Sequence, residues 1–181
     1  MPAHASVHVP EPSPRIRPGA ASDLDALVEL EKAAFTTDLV SRRSFRRFLA
    51  SPTAALIVAE EGGQLAGYAL VLFRPGSKVA RLYSIAVASA VSGRGVGPML
   101  LAASEAAGRR RRCAVLRLEV HEHNAAAINR YRKSGYNLFG RHLDYYDDHG
   151  DALRFEKQLG PSSTGRKLRK ESSSPAAPVA R

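Results

Sequence analysis

The chain has 181 residues, 44% of them hydrophobic, enough for one domain with a real core. Its one cysteine, Cys113, cannot form an intramolecular disulfide. With no apolar stretch long enough to span a bilayer and no signal-peptide pattern at the N-terminus, the expectation is a cytoplasmic protein without membrane contact. The net charge is +10, of which residues 161–181 carry +4 and residues 1–14 carry −1, leaving +7 on residues 15–160. Such a domain favours phosphate-bearing ligands and polyanions such as RNA.

Residues 1–14 hold four prolines and little periodicity, and read as a disordered leader. Arg15–Arg17 is a short strand. Ser22 caps a helix over 23–34, in which Leu24, Leu27, Val28 and Leu30 form an apolar face. A second helix from Ser41 sets Phe45, Phe48 and Leu49 against Arg42, Arg43, Arg46 and Arg47, an arginine face open to solvent or to an acidic partner. Ala54–Glu60 and Gln64–Phe73 are strands joined through Glu61-Gly62-Gly63, and Arg74-Pro75-Gly76-Ser77 turns the chain into a strand over Val79–Val87.

The informative stretch follows. The apolar run Ser84-Ile85-Ala86-Val87 gives way to Ser92-Gly93-Arg94-Gly95-Val96-Gly97-Pro98, and Met99-Leu100-Leu101-Ala102-Ala103 reads as a helix start. Strand, glycine turn and helix N-terminus together suit a phosphate or pyrophosphate, because the first amides of a helix are unpaired and sit at the positive end of its dipole. The spacing is neither the dinucleotide fingerprint nor a nucleotide P-loop, so the glycines alone fit a surface turn equally well.

Arg109–Arg112 sits where a helix C-terminus favours cations. In the strand over Ala114–Val120, Arg117 and Glu119 share one side, which makes a salt bridge between them the simplest role for Glu119. Asn124 caps a helix that shows Ala127, Ile128 and Tyr131 on one face and stops at Gly135. Tyr136–Tyr146 and Ala152–Gln158 are the last strands, joined by the acidic turn Asp147–Asp151. His121 and His123 lack a third ligand at zinc spacing, so no metal site is expected. Residues 161–181 are a low-complexity basic tail able to make weak polyanion contacts.

The string Leu118-Glu119-Val120, Asn124-Ala125-Ala126-Ala127-Ile128, Tyr131, Gly135-Tyr136, Tyr145-Tyr146 and Asp151-Ala152-Leu153, with the glycine turn before it, resembles the GNAT N-acetyltransferase family. Within it the likeness is strongest to bacterial ribosomal-protein alanine N-acetyltransferases; the N-terminal half fits that subgroup less well. The resemblance covers residues 15–160, which are expected to form one domain. It implies an α/β fold, a mixed twisted sheet of about seven strands flanked by helices on both faces. It also implies acetyl transfer from acetyl-CoA to a primary amine, a protein N-terminus first and a lysine or small amine as alternatives, by a monomer or homodimer.

By the same resemblance, the backbone of Ile85, Ala86 and Val87 binds the acetyl carbonyl and pantetheine arm, Ser92, Gly93, Arg94, Gly95, Val96, Gly97 and Pro98 wrap the pyrophosphate, and Asn124 bonds the pantetheine. Ser92 departs from the family's usual Gln or Arg, and Arg94 is the candidate substitute for that charge. Acetyl transfer needs a base for the amine and an acid for the departing thiolate. Glu119, acting through water, is the candidate base, with His121 and His123 as alternatives; Tyr131 is the candidate acid, with core packing as its other explanation. The competing reading of the whole chain is a catalytically silent acyl-CoA-binding or RNA-associated module.

Overall fold

The computed structural model describes residues 13–160. The expected tail, and all of the expected leader except Ser13 and Pro14, lie outside the described residues. In chain order the elements are β1 (Arg15–Pro18), α1 (Leu24–Ala34), α2 (Arg42–Ala50), β2 (Ala54–Glu61), β3 (Gln64–Phe73), β4 (Val79–Val87), α3 (Val96–Arg110), β5 (Val115–His121), α4 (Ala125–Lys133), β6 (Asn137–His142) and β7 (Ala152–Gln158).

The strands form one seven-stranded sheet in the order β1-β2-β3-β4-β5-β7-β6. Among the described strands only β4 and β5 pair in parallel, with α3 as the helical crossover between them; α4 makes a second crossover, from β5 to β6, but β7 lies between those two strands. The expected mixed seven-stranded sheet with helices on both faces is what forms.

Alternation along the strands makes two cores. On one face Leu56, Val58, Tyr68 and Leu70 pack with Leu27 and Leu30 of α1 and Phe45 of α2. On the other, Ile57, Ala59, Ala69, Leu116, Leu118 and Phe155 pack with Leu100 and Leu101 of α3 and Ile128 and Tyr131 of α4. Helices α1 and α2 thus cover β2–β4, whereas α3 and α4 reach β5 and its neighbour β7.

Three boundaries differ from expectation. Ser22 falls inside a short 3-10 turn over Ala21–Asp23 and does not cap α1. Asp23 organises that turn, accepting the Ala20 amide at 2.7 Å and both terminal nitrogens of Arg17 at 2.8 Å. The Arg17 guanidinium consequently holds the Asp23 carboxyl below its ordinary value. Helix α3 begins at Val96 rather than Met99, which places Gly97 and Pro98 in its first turn. Strand β6 ends at His142, and residues 143–151 form a loop. The cap at Ser41 is as expected, its side chain accepting from the Ser44 amide at 3.2 Å.

One glycine sets how closely α3 approaches the sheet. A Cβ on Gly67 of β3 would lie 2.8 Å from the Ala86 carbonyl oxygen and 2.9 Å from Leu100 Cδ1, so only glycine leaves room for the start of α3 beside β4. Gly67→Ala is expected to lose about 1–3 kcal/mol of unfolding free energy through overpacking, read as a lower urea midpoint at unchanged slope.

Candidate active site

The site exists because β4 and β5 part company. Their parallel pairing runs from Val79 opposite Val115 to Leu82 opposite Leu118 and then stops. Beyond it β4 continues to Val87 against β3, and β5 continues to His121 against β7. In β4, Leu82 pairs with Val71 and Ser84 with Leu70, so Tyr83 is an extra, bulged residue at the point of divergence. The gap opens into a cavity of about 670 Å³. One edge of β4 past Leu82 is released from sheet pairing, leaving main-chain groups available to a ligand.

Below the gap, the turn after β4 leads into the 15-residue helix α3. Gly93 and Gly95 have φ of +82° and +86°, and nothing lies within 4 Å of where their Cβ atoms would be. The first helical bond is Met99 N–H to the Gly95 carbonyl at 3.2 Å. The Val96 and Gly97 amides precede it, and Pro98 has no N–H to leave unpaired. An open glycine turn feeding a helix N-terminus fits a pyrophosphate: the backbone is approachable and the dipole is positive there. Ser92 is exposed at the start of this turn. Arg94 is engaged elsewhere, its Nη2 lying 3.0 Å from Glu61 Oε1 at the end of β2.

Ile85, Glu119, Asn124 and Tyr131 all line the cavity, while Ala86 is buried in the core beneath α1 and α2. Asn124 caps α4, its Oδ1 accepting from the Ala127 amide at 3.1 Å, which leaves the amide nitrogen for a ligand. Tyr131 is 5% exposed, and among the described residues nothing hydrogen-bonds its hydroxyl. Burial pushes that hydroxyl up to about 12.

Glu119 does not pair with Arg117, which bonds Glu156 at 2.9 Å. Arg81 of β4 takes that place across the gap, its Nε donating to Glu119 Oε2 at 2.9 Å while its Nη2 donates to the Tyr145 hydroxyl at 2.8 Å. Arg154 Nε stands 3.8 Å from the other Glu119 oxygen. The carboxylate is thus fixed in position with one oxygen less tightly engaged.

The two histidines separate. His121 is stacked on Tyr146 at 4.9 Å, its Nδ1 accepts the His123 amide at 3.1 Å, and its Nε2 faces Asp148 at 3.0 Å. Accepting at Nδ1 places the proton on Nε2, where Asp148 takes it, so neither nitrogen is free to act as a base. His123 is exposed and does not line the cavity.

The profile of the acetyltransferase (GNAT) family matches residues 24–136. The chain belongs to that family. It is therefore an N-acetyltransferase that uses acetyl-CoA. Among GNAT relatives it is 34% identical over 146 residues to the N-alpha-acetyltransferase RimI of Mycobacterium tuberculosis, spanning 78% of this chain and 90% of that protein. The ribosomal-protein-S18-alanine N-acetyltransferase of Escherichia coli superposes with a TM-score of 0.73 at 26% identity, over 87% of this chain and 99% of that one. A ribosomal-protein-alanine N-acetyltransferase from Brucella melitensis gives 0.70 at 29% identity, over 80% and 99%.

Sequence reading missed Arg81, because strand alternation puts it on the face of Glu119 without saying that the neighbouring strand lies within reach. It also missed Glu31 and Tyr68, whose hydroxyl bonds both Glu31 and, at 2.7 Å, Ser84 beside the bulge. The open glycine turn generates one prediction. Gly95→Glu is expected to abolish acetyl-CoA binding by calorimetry, whereas Gly95→Ala, which adds only backbone strain of about 1 kcal/mol, retains measurable binding.

Proposed function

We propose that the acceptor is the N-terminal amine of a protein, and that transfer runs through Glu119 and Tyr131 in the cytoplasm. The observation that carries the mechanism is their placement. Glu119 belongs to the sheet face that α1 and α2 partly cover and Tyr131 to the opposite core, yet both line the one cavity where the sheet is split. A base and an acid on opposite walls of a cleft are what transfer from a thioester to an amine requires.

Acetyl-CoA supplies the acetyl group as a thioester. Ser92–Pro98 hold its pyrophosphate, and the backbone of Ile85–Val87 with the Asn124 amide holds the arm. At the acceptor end, the amine must be neutral to attack, and a protein N-terminus, with an ordinary pKa near 8, gives up its proton far more readily than lysine, near 10.4. Glu119 accepts that proton through water as nitrogen bonds to the acetyl carbon. The carbon–sulfur bond breaks, and Tyr131 donates its proton to the departing thiolate. The unpaired edge of β4 offers N–H groups to the carbonyl oxygen as charge builds on it.

The cavity mouth suits a cationic approach. Asp38, between α1 and α2, lines the cavity and faces the 143–151 loop. Burial raises its carboxyl, and the nearby Asp147 and Asp148 raise it further. The names of the relatives agree with such an acceptor, since two solved neighbours are called ribosomal-protein alanine N-acetyltransferases.

Two measurements test this reading. Free CoA is expected to appear when Ala- or Ser-initiated peptides are supplied, and not when the same peptides are N-terminally blocked but retain an internal lysine; acetylation of the lysine alone overturns the acceptor. Tyr131→Phe is expected to lower kcat about 10- to 100-fold at unchanged acetyl-CoA affinity. Because the hydroxyl stays protonated up to about 12, the wild-type pH–rate profile should rise with deprotonation of the amine and show no fall up to pH ~10. A descending limb near neutrality would remove Tyr131 as the acid.

A further inference from the structure

We propose that Arg130 is a second grip on the coenzyme A pyrophosphate, clamping it against the first turn of α3. The inference rests on the assignment of the Gly93–Pro98 turn to that group and names a residue which that assignment does not include.

Arg130 lies on α4, one position before Tyr131. The helical step between neighbours is about 100°, so Tyr131 faces the core while Arg130 turns toward its rim. Its guanidinium crosses to α3. The carbon, Nε and Nη1 each lie 3.6 Å from the position that a Gly97 Cβ would occupy. A glycine there leaves the planar group against bare helix backbone, beside the unpaired amide of the first turn. Arg130 also lines the cavity, so it stands where the acetyl arm leaves the cleft and the phosphate cradle begins.

Its charge is uncompensated. Among the described residues no carboxylate pairs with Arg130, whereas three other arginines are engaged: Arg81 with Glu119, Arg141 with Glu122 and Asp151, and Arg94 with Glu61. An arginine held open beside a helix N-terminus presents a fork of N–H donors matched to phosphate oxygens, and the two fields add. Arg94, the candidate substitute for the charge missing at Ser92, already serves Glu61; Arg130 approaches the same turn from the α4 side with no such tie.

The test is calorimetry with three probes on the full chain: acetyl-CoA, dephospho-CoA, which lacks the 3′-phosphate, and acetyl-pantetheine, which lacks all phosphates. Arg130 is exposed, and alanine is a stronger helix former, so Arg130→Ala should melt as the wild type does. The expected result is binding weakened about tenfold or more for both phosphorylated probes, unchanged for acetyl-pantetheine, with partial recovery in Arg130→Lys and a deeper loss in Arg130→Glu. The salt dependence of acetyl-CoA affinity should also become shallower in Arg130→Ala.

Wild-type affinity for acetyl-CoA in Arg130→Ala overturns the clamp while leaving the phosphate cradle standing. A loss confined to acetyl-CoA and absent with dephospho-CoA overturns it too, because it assigns Arg130 to the 3′-phosphate. A parallel loss for acetyl-pantetheine overturns it as well, by showing a purely structural role. If the wild-type chain itself binds neither phosphorylated probe, the cradle fails and Arg130's role fails with it.

Discussion

The loss of pairing between β4 and β5 beyond Leu82 is the constraint on which everything else in this molecule depends. A continuous sheet satisfies its main-chain groups and seals its two faces from each other. Splitting it makes both costs and opportunities: polar backbone is left unpaired, and side chains from opposite faces gain access to one space. Each released strand is held by its outer neighbour, β4 by β3 and β5 by β7, so the split is supported rather than frayed. The bulge at Tyr83 twists β4 away just where pairing ends.

Behind that wall lies a buried polar chain that keeps it in shape. Glu31, 2% exposed, accepts the Val40 amide at 2.7 Å and the Tyr68 hydroxyl, and Tyr68 meets Ser84 at 2.7 Å. Burial raises the Glu31 carboxyl, with the two hydrogen bonds acting the other way. Leaving any member unpaired would cost about 1–3 kcal/mol. The chain therefore couples the α1–α2 loop to the bulged stretch of β4, and so shapes that wall of the cavity.

Most of the architecture was legible because it depends on local rules. Alternation in Ile57, Val58 and Ala59, the two-glycine hairpin, and caps at Ser41 and Asn124 are each specified within a few residues. The misreadings share another cause. Ser22 has the right chemistry for a cap, but Asp23 wins the turn because Arg17, six residues back, meets it with two nitrogens. Glu119 seemed destined for Arg117, two residues away on the same strand. Its partner came instead from β4, 38 positions earlier in the chain. Pairings across strands are decided by register, and register is a tertiary fact. The family resemblance singled out Glu119 and Tyr131 as candidates, but residue patterns alone could not say that a gap would bring them to a common space.

That gap also bears on how a salt-bridged carboxylate could serve the proposed reaction. Were Arg81 and Arg154 to grip Glu119 equally, both oxygens would be spent on holding it still. Instead Arg81 takes one oxygen at 2.9 Å and Arg154 stands off at 3.8 Å from the other. Arg81 is itself bound to Tyr145 from the 143–151 loop, so the proposed base is positioned by a group that is tied to the cavity mouth. Tyr131 is the opposite case: buried, without a hydrogen-bond partner among the described residues, and packed in the core beside Tyr136 and Phe155. An acid must keep its proton until sulfur needs it, and burial without a hydrogen-bond acceptor achieves that. The two walls differ as the proposed tasks require: polar contacts fix the group proposed to receive a proton, and apolar contacts protect the group proposed to give one.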